Sequence, residues 1–524
     1  MLRGLRGRAF VSLGCVVTVL CAAAAASARH ERTASRRVDV SIGYASPTPL
    51  TAALATEHAR IVRRVPALRI ARVRLDESGA ATLRRLPGIR FVERVTQRAN
   101  AAEPALQAAT GKSTPWEWQF AAAREDRVPD WVQRAASSVT IAVVDTGVDV
   151  SAPDIAAKNP TTFSPRNGTA DVRDTVGHGT FVAALAAGSV TNGEGIAGFG
   201  GDAKLMVVKA GAGDGSISDV DEAAAISYAV DHGARIINLS FGGTTTSTAE
   251  KNAIDYATSH GVLVVAAAGN HYLTGNQTIY PAALVQPLGS KGVGGTGLAV
   301  GASNDAGTRA AFSSTGSYIS VAAPGDGVFS AVASTSSASS YPRVPLPGSL
   351  HGLYGYGSGT SFAAPEVSGA AALVMAANPL LNVQDVSRII KTSASGRGAW
   401  TPELGFGVLD VGSAVELARG VQPEAAQADL KLVAHVVRRH VTLTARLSSF
   451  VPAVATARRS LVFDRCNAAA RAWRPVGTVQ TSASGRAMLT LAQARKPLRL
   501  RARWTGAADL AAAASKPVRV KALR

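Results

Sequence analysis

Val139-Thr-Ile-Ala-Val-Val-Asp145-Thr-Gly147 decides how this chain folds. Its apolar residues run almost without interruption instead of alternating with polar ones, and the run stops at a carboxylate followed by glycine. A strand of that kind is buried on both faces, as parallel-sheet strands are when helices cover both sides. Working outward, similar runs recur at 204–209, 235–239, 262–267, 298–301 and 319–322, ending in Gly, Asn or Asp and alternating with helical stretches. Ser247-Thr-Ala-Glu250 reads as a capping box ahead of a helix over 253–260 with Gly261 at its end, and Asn382 with Asp385 opens another over 383–392. The expected fold is α/β, a doubly wound and mostly parallel sheet, with functional residues gathered beyond the carboxyl ends of its strands.

Other patterns flank this region. Residues 36–97 alternate as a small α+β unit: strand 38–44, helix 50–65, an apolar/Arg alternation at 68–75, helix 78–86 and strand 89–95, with Pro87-Gly88 as punctuation. Residues 98–115 are Ala-rich and polar and suit an exposed, cleavable linker. Beyond 420 the helical period disappears. Alternating stretches at 441–447, 460–463, 487–491, 498–504 and 518–520 predict an all-β sandwich whose outward positions are largely Arg.

Composition narrows the function. With 524 residues, 47% of them hydrophobic, the chain fits about three or four globular domains and excludes collagen and low-complexity disorder. Cys15 and Cys21 lie in the first thirty residues and only Cys466 lies beyond them, so the body is expected to form no internal disulfide. Arg3, Arg6 and Arg8, an apolar run over 10–26 and Ala26-Ser27-Ala28 read as a signal peptide over 1–28, which predicts secretion. No later segment is expected to span a bilayer. The net charge of +19 resolves into +3 for 1–28, +9 for 29–115, −8 for 116–420 and +15 for 421–524. An acidic middle between two basic pieces argues against specific nucleic-acid binding and predicts attraction between the pieces. The excess of 44 Arg over 11 Lys is also what genomic base composition alone would give.

Four short motifs carry chemistry. Asp145 ends the deciding strand and reads either as a turn-former or as a functional carboxylate; the chain holds no second Asp-Thr-Gly or Asp-Ser-Gly, so an aspartic dyad has no partner. His178, in Gly177-His-Gly-Thr180, opens an apolar helical run. Ser361, in Gly359-Thr-Ser-Phe-Ala-Ala-Pro365, stands at a helix start, where it is a cap or a nucleophile favoured by the helix's positive end. A serine needs a base, and that base needs an acceptor to fix its tautomer; Ser361, His178 and Asp145 supply those three roles. Asn270, in Ala268-Gly-Asn270, is an ordinary turn residue or a donor to an oxyanion.

Taken together and in this order, the four motifs resemble the subtilisin-like serine proteases over about 116–420, supported by Trp116-Glu-Trp-Gln119, Tyr280-Pro-Ala282 and Gly405-Phe-Gly-Val-Leu-Asp410. The resemblance implies endopeptidase activity on polypeptide substrates. It implies that Ser240, Phe241, Gly242 and Ala267, Ala268, Gly269 line the cleft and pair with substrate backbone; their small uncharged character suggests an apolar primary specificity. Residues 36–97 resemble the family's inhibitor-like propeptide, so 29–115 is expected to act as an intramolecular inhibitor removed by cleavage between Arg98 and Pro115. Residues 428–524 resemble an immunoglobulin-like repeat suited to anionic cell-wall polymer or to a spacer role. Phe181 and Glu366 stand where the family usually has histidines, and Glu366 is expected to alter charge near the helix start. No cofactor is needed for the chemistry. Asn192 and Glu194 are the only obvious oxygen ligands in 190–198, which leaves calcium open. The expected protein is a secreted or cell-wall-associated, self-processing monomer. The rival reading is a catalytically silent surface-binding scaffold whose basic tail is an adhesion domain.

Overall fold

The computed structural model describes residues 37–56, 59–99, 116–336, 341–346, 349, 353–421, 428–437, 440–449, 456–467, 472–492, 497–507 and 510–522. The predicted signal peptide and residues 100–115 of the predicted linker lie outside them. The chain divides into two compact units, one from residues up to Val62 with Ala71–Arg94, the other from Arg63–Ile70 with Val95–Arg524.

The N-terminal sheet has the order β2-β3-β1-β4, with β1 Arg37–Tyr44, β2 Arg60–Val65, β3 Ile70–Asp76 and β4 Ile89–Arg94. Val40, Ile42, Leu50, Val73 and Leu83 form its core with the helices Pro47–Thr56 and Glu77–Leu83. The helix expected over 50–65 is corrected: it ends at Thr56, and Arg-Ile-Val-Arg-Arg-Val becomes strand β2 with exposed residues alternating along it. The β-branched Ile and Val lose rotamer freedom in a helix and suit a pleated surface.

In the second unit a short strand, β5 Gln97–Arg98, precedes the parallel sheet. That sheet has seven strands in the order β13-β12-β11-β10-β6-β8-β7. They are β6 Thr140–Asp145, β7 Thr161–Phe163, β8 Lys204–Lys209, β10 Ile236–Leu239, β11 Leu263–Ala267, β12 Leu298–Ser303 and β13 Val321–Pro324; β9 Ile217–Ser218 pairs instead with β5. In register, Asn238 of β10 lies opposite Val143 of β6 on one side and Val265 of β11 on the other. The six apolar runs are all strands. The edge strand β7, three residues long and half exposed, carries no such signal. Ile141, Val143, Ile236, Val265 and Val300 are wholly buried, each contributing roughly 1.5–3 kcal/mol relative to exposure.

Thr360–Ala377 packs across this sheet and is buried nearly throughout. By length and composition it matches a membrane-spanning helix, contrary to the expectation that no such segment exists, but it is the core helix of the domain. Ser247 caps Thr248–Ser259 and Asn382 caps Val383–Ser393, each accepting a backbone N–H as its motif predicts.

The C-terminal region is an antiparallel sandwich. One sheet holds Ala428–Val437, His440–Ser449 and Arg486–Ala492; the other is built on Ser460–Asn467, Ala472–Gln480 and Leu498–Trp504. Leu443, Leu461, Phe463 and Leu500 lie in its core. Its arginines are not all solvated. Arg501 and Arg503 both donate to the buried Asp464, at 3.0 and 3.1 Å, and Arg501 also lies 4.4 Å from the centre of the Trp473 ring.

Candidate active site

Asp145 ends β6, fully buried, and its Oδ1 accepts from the Thr146 N–H at 2.7 Å and lies 2.8 Å from His178 Nδ1. Such contact requires the two backbones to touch. Gly147 has φ +120°, and a Cβ there would fall 2.2 Å from the Val172 carbonyl oxygen; a Cβ on Gly179 would fall 2.1 Å from the Gly147 oxygen. The glycines of both motifs therefore serve close approach. The sequence reading missed Asp174, which fastens them together. Its Oδ1 accepts from Thr146 Oγ1, Val176 N and Gly177 N, and its Oδ2 from Thr180 N and Oγ1. Thr146 Oγ1 in turn accepts from Gly179 N. No local motif marks Asp174, which lies in an irregular loop.

His178 begins the helix His178–Ala187, and its ring is 5.8 Å from that of Phe362, the residue after Ser361. Phe181 is wholly buried against Phe362 and Tyr341, with ring centroids 4.3 and 5.2 Å away, so it packs the floor beneath the site.

Ser361 is the second residue of its helix and nearly wholly buried. Pro365 explains its setting. Lacking an N–H, Pro365 cannot bond to the carbonyl four residues back, and that carbonyl, of Ser361, accepts instead from Ser240 Oγ at 2.7 Å. Reciprocally, Ser361 Oγ donates to the Ser240 carbonyl at 3.0 Å. Asn238 orients Ser240 by donating to its Oγ. Asn270 Oδ1 accepts from both the N–H and the hydroxyl of Thr360, which leaves its buried Nδ2 without a protein acceptor, beside Gly359.

The predicted cleft residues divide. Gly242 is paired along its backbone with Ala99. Ala268 N–H and C=O are taken by Val300 and Tyr318, and those of Gly269 by Thr360 and Ser314. The backbone groups of Ala268 and Gly269 are therefore engaged within the protein, whereas those of Gly242 meet the extended backbone of Ala99. Glu366 is also corrected. Buried in the Ser361 helix with no donor to either oxygen, its carboxyl is pushed well above the usual range by desolvation, which disfavours the charge expected of it near the helix start.

Asn192 and Glu194 line a hollow of about 390 Å³ with Glu117. Around it, Asp154 accepts from Ile196 N and the Tyr354 hydroxyl, Glu117 from Ala197 N, and Glu194 from Ser349 Oγ. Both oxygens of Asp154 are thus engaged by protein donors, whereas the bonds at Glu117 and Glu194 take Oε1.

Known proteins resemble the chain around this site. Residues 136–407 match the Subtilase family. Subtilisin of Bacillus pumilus is 34% identical over 284 residues, covering 53% of this chain and 92% of the relative. Halolysin of Haloferax mediterranei is 35% identical over 345 residues, covering 62% of this chain and 59% of the relative. In fold, the chain is similar to fervidolysin from Fervidobacterium pennivorans, a keratinolytic enzyme related to subtilisin, with TM-score 0.61 and 20% identity over 93% of this chain and 91% of that one. The protein is a serine endopeptidase. Within that class it belongs to the subtilase family.

Proposed function

We propose that Ser361 is the nucleophile, His178 the general base and then acid, Asp145 the residue that orients and stabilises the imidazole, and Asn270 the oxyanion donor. The observation that carries this reading is the buried 2.8 Å contact between Asp145 Oδ1 and His178 Nδ1, which directs the other ring nitrogen to the task of base. The Ser361 hydroxyl rotates its proton from the Ser240 carbonyl to the imidazole as Oγ attacks the scissile carbonyl. The oxyanion takes hydrogen bonds from Asn270 Nδ2 and the helix-start N–H groups. Collapse breaks the C–N bond, the imidazolium protonates the leaving amine, and water hydrolyses the Ser361 ester by the same steps.

The enzyme is further proposed to be exported, with residues 29–115 as a prosegment that it removes itself and the 428–524 sandwich as an accessory domain. The arginine pairs with Asp464 favour a spacer over a uniformly cationic binding face for that sandwich. A serine-reactive phosphonate tests the catalytic reading when residues 29–524 are compared with their Ser361→Ala variant. Labelling, casein hydrolysis and shortening of the chain are expected only in the parent. A folded parent that shows none of these overturns the reading in favour of a silent scaffold.

A further inference from the structure

Gln97-Arg98-Ala99 belongs to the second compact unit and lies in it as an added strand. Gln97 and Arg98 pair antiparallel with Ser218 and Ile217, and Ala99 exchanges both backbone hydrogen bonds with Gly242, each 3.1 Å. A backbone held from both sides in this way occupies the position of a bound peptide, because Gly242 stands two residues from Ser240, whose carbonyl accepts from Ser361.

The Arg98 side chain is completely buried. Its Nε lies 2.9 Å from Glu250 Oε1 and 3.7 Å from Glu222 Oε2, and both of those side chains are wholly buried too. Nη1 donates to Thr96 Oγ1. Asp219, at the start of the same helix as Glu222, is a third buried carboxyl on this side of the strand. Glu222 has no hydrogen-bond donor on either oxygen; burial and the nearby charge of Glu250 push its carboxyl well above the usual range, and the guanidinium 3.7 Å away acts against that shift, so a cation seated here is what favours its ionised form. Gly243 keeps the passage open, since a Cβ there would lie 3.3 Å from Arg98 Cδ.

We propose that Asp219, Glu222 and Glu250 form an arginine-selective subsite of the substrate cleft, a proposal that rests on Ser361 being the nucleophile. The register fixes its position. With Ala99 opposite Gly242, a peptide continuing antiparallel sets the third residue after its arginine opposite Ser240, beside Ser361. Arginine is then the fourth residue before the scissile bond. In this chain that count falls on Ala101, making Ala101–Ala102 the bond that self-processing cuts. The subsite is separate from the one that reads the residue at the scissile bond itself.

The test uses enzyme produced from the full chain, its active centres counted by phosphonate labelling, with peptides that differ only at the fourth position before the cleaved bond. Because truncating one member of a buried charge pair is costly, kcat/KM for Arg is expected to exceed that for Leu by about 100-fold, with Lys between them and Glu lowest. In Glu222→Gln/Glu250→Gln enzyme the Arg-to-Leu ratio collapses towards one, and N-terminal sequencing of the parent enzyme reads Ala102. Labelled enzyme with a flat or apolar preference at this position overturns the subsite and leaves the catalytic reading standing. A folded chain that takes no label defeats the catalytic reading and the subsite with it. The peptide series on the parent enzyme needs no variant, so a misfolded double variant does not rescue the proposal.

Discussion

Two kinds of buried carboxylate occur in the same domain. Asp145 and Asp174 are nearly inaccessible and faced by donors, Asp145 through Oδ1 alone and Asp174 accepting five hydrogen bonds on its two oxygens. Glu366 and Glu125 are as deeply buried, yet Glu366 has no donor and Glu125 accepts only from Gln133 Nε2 among its described contacts. Desolvation pushes Glu366 well above the usual range and Glu125 to about 7. The contrast shows that burial alone does not set a carboxylate's task. Donors aimed at the oxygens make it a fastener or an orienter, whereas apolar surroundings make it an acid that prefers to stay protonated.

The largest break in this comparison comes at Asp145. Asp145→Asn keeps the shape but exchanges an acceptor facing His178 Nδ1 for an amide, so the imidazole loses its fixed tautomer. Activity per labelled centre is expected to fall by about 10⁴-fold, with the thermal midpoint nearly unchanged. A residual rate within tenfold of the parent contradicts Asp145 as orienter.

Asp174→Ala strikes the fastener. It orphans three backbone N–H groups and two threonine hydroxyls, and the expected loss is roughly 3 kcal/mol of unfolding free energy. Denaturant titration reads that loss. Activity should fall as well, since Thr146 then holds Gly179, and hence His178, less firmly. An unaltered midpoint contradicts the role given to Asp174.

Glu366 predicts the opposite sign. Glu366→Met replaces an unpaired buried carboxyl by an apolar group of similar volume, and a gain of about 2 kcal/mol is expected at pH 8. Loss of stability there would mean that Glu366 has a partner that its packing does not reveal.

How legible this was depends on whether a feature is local. The six long strands announce themselves because a strand covered on both faces cannot afford polar residues, and Asp145, His178, Asn270 and Ser361 sit where those strands or helix starts meet glycines. Arg60–Val65 is ambiguous in sequence because its arginines and apolar residues fit a helical spacing as well as a strand. Asp174 and the Arg98 pocket were invisible for a different reason. Each depends on loops or strands meeting across long sequence separations, 152 residues between Arg98 and Glu250. Glu250 shows the limit most plainly. Its N–H does bond to Ser247 Oγ as a capping box predicts, but its carboxylate turns away to Arg98 and Thr246.

Glu125 sharpens the comparison at its mildest point. Its unfolded reference lies at 4.5 and its folded value at about 7, raised first by burial and then by the nearby charge of Asp126. Between these values the folded chain binds the proton that the unfolded chain has released, so this group's contribution falls as pH rises from 4.5 through 7 and stays low above that. Glu125→Gln keeps an acceptor for Gln133 but carries no proton to lose. The variant and the parent should therefore melt together near pH 4.5 and separate progressively to pH 8, where the variant is the more stable. Melting curves at half-unit pH steps supply the measurement. A difference that is constant with pH would trace the effect to packing, and a parent that outlasts the variant at pH 8 would place Glu125 with Asp174, among the carboxylates held by donors.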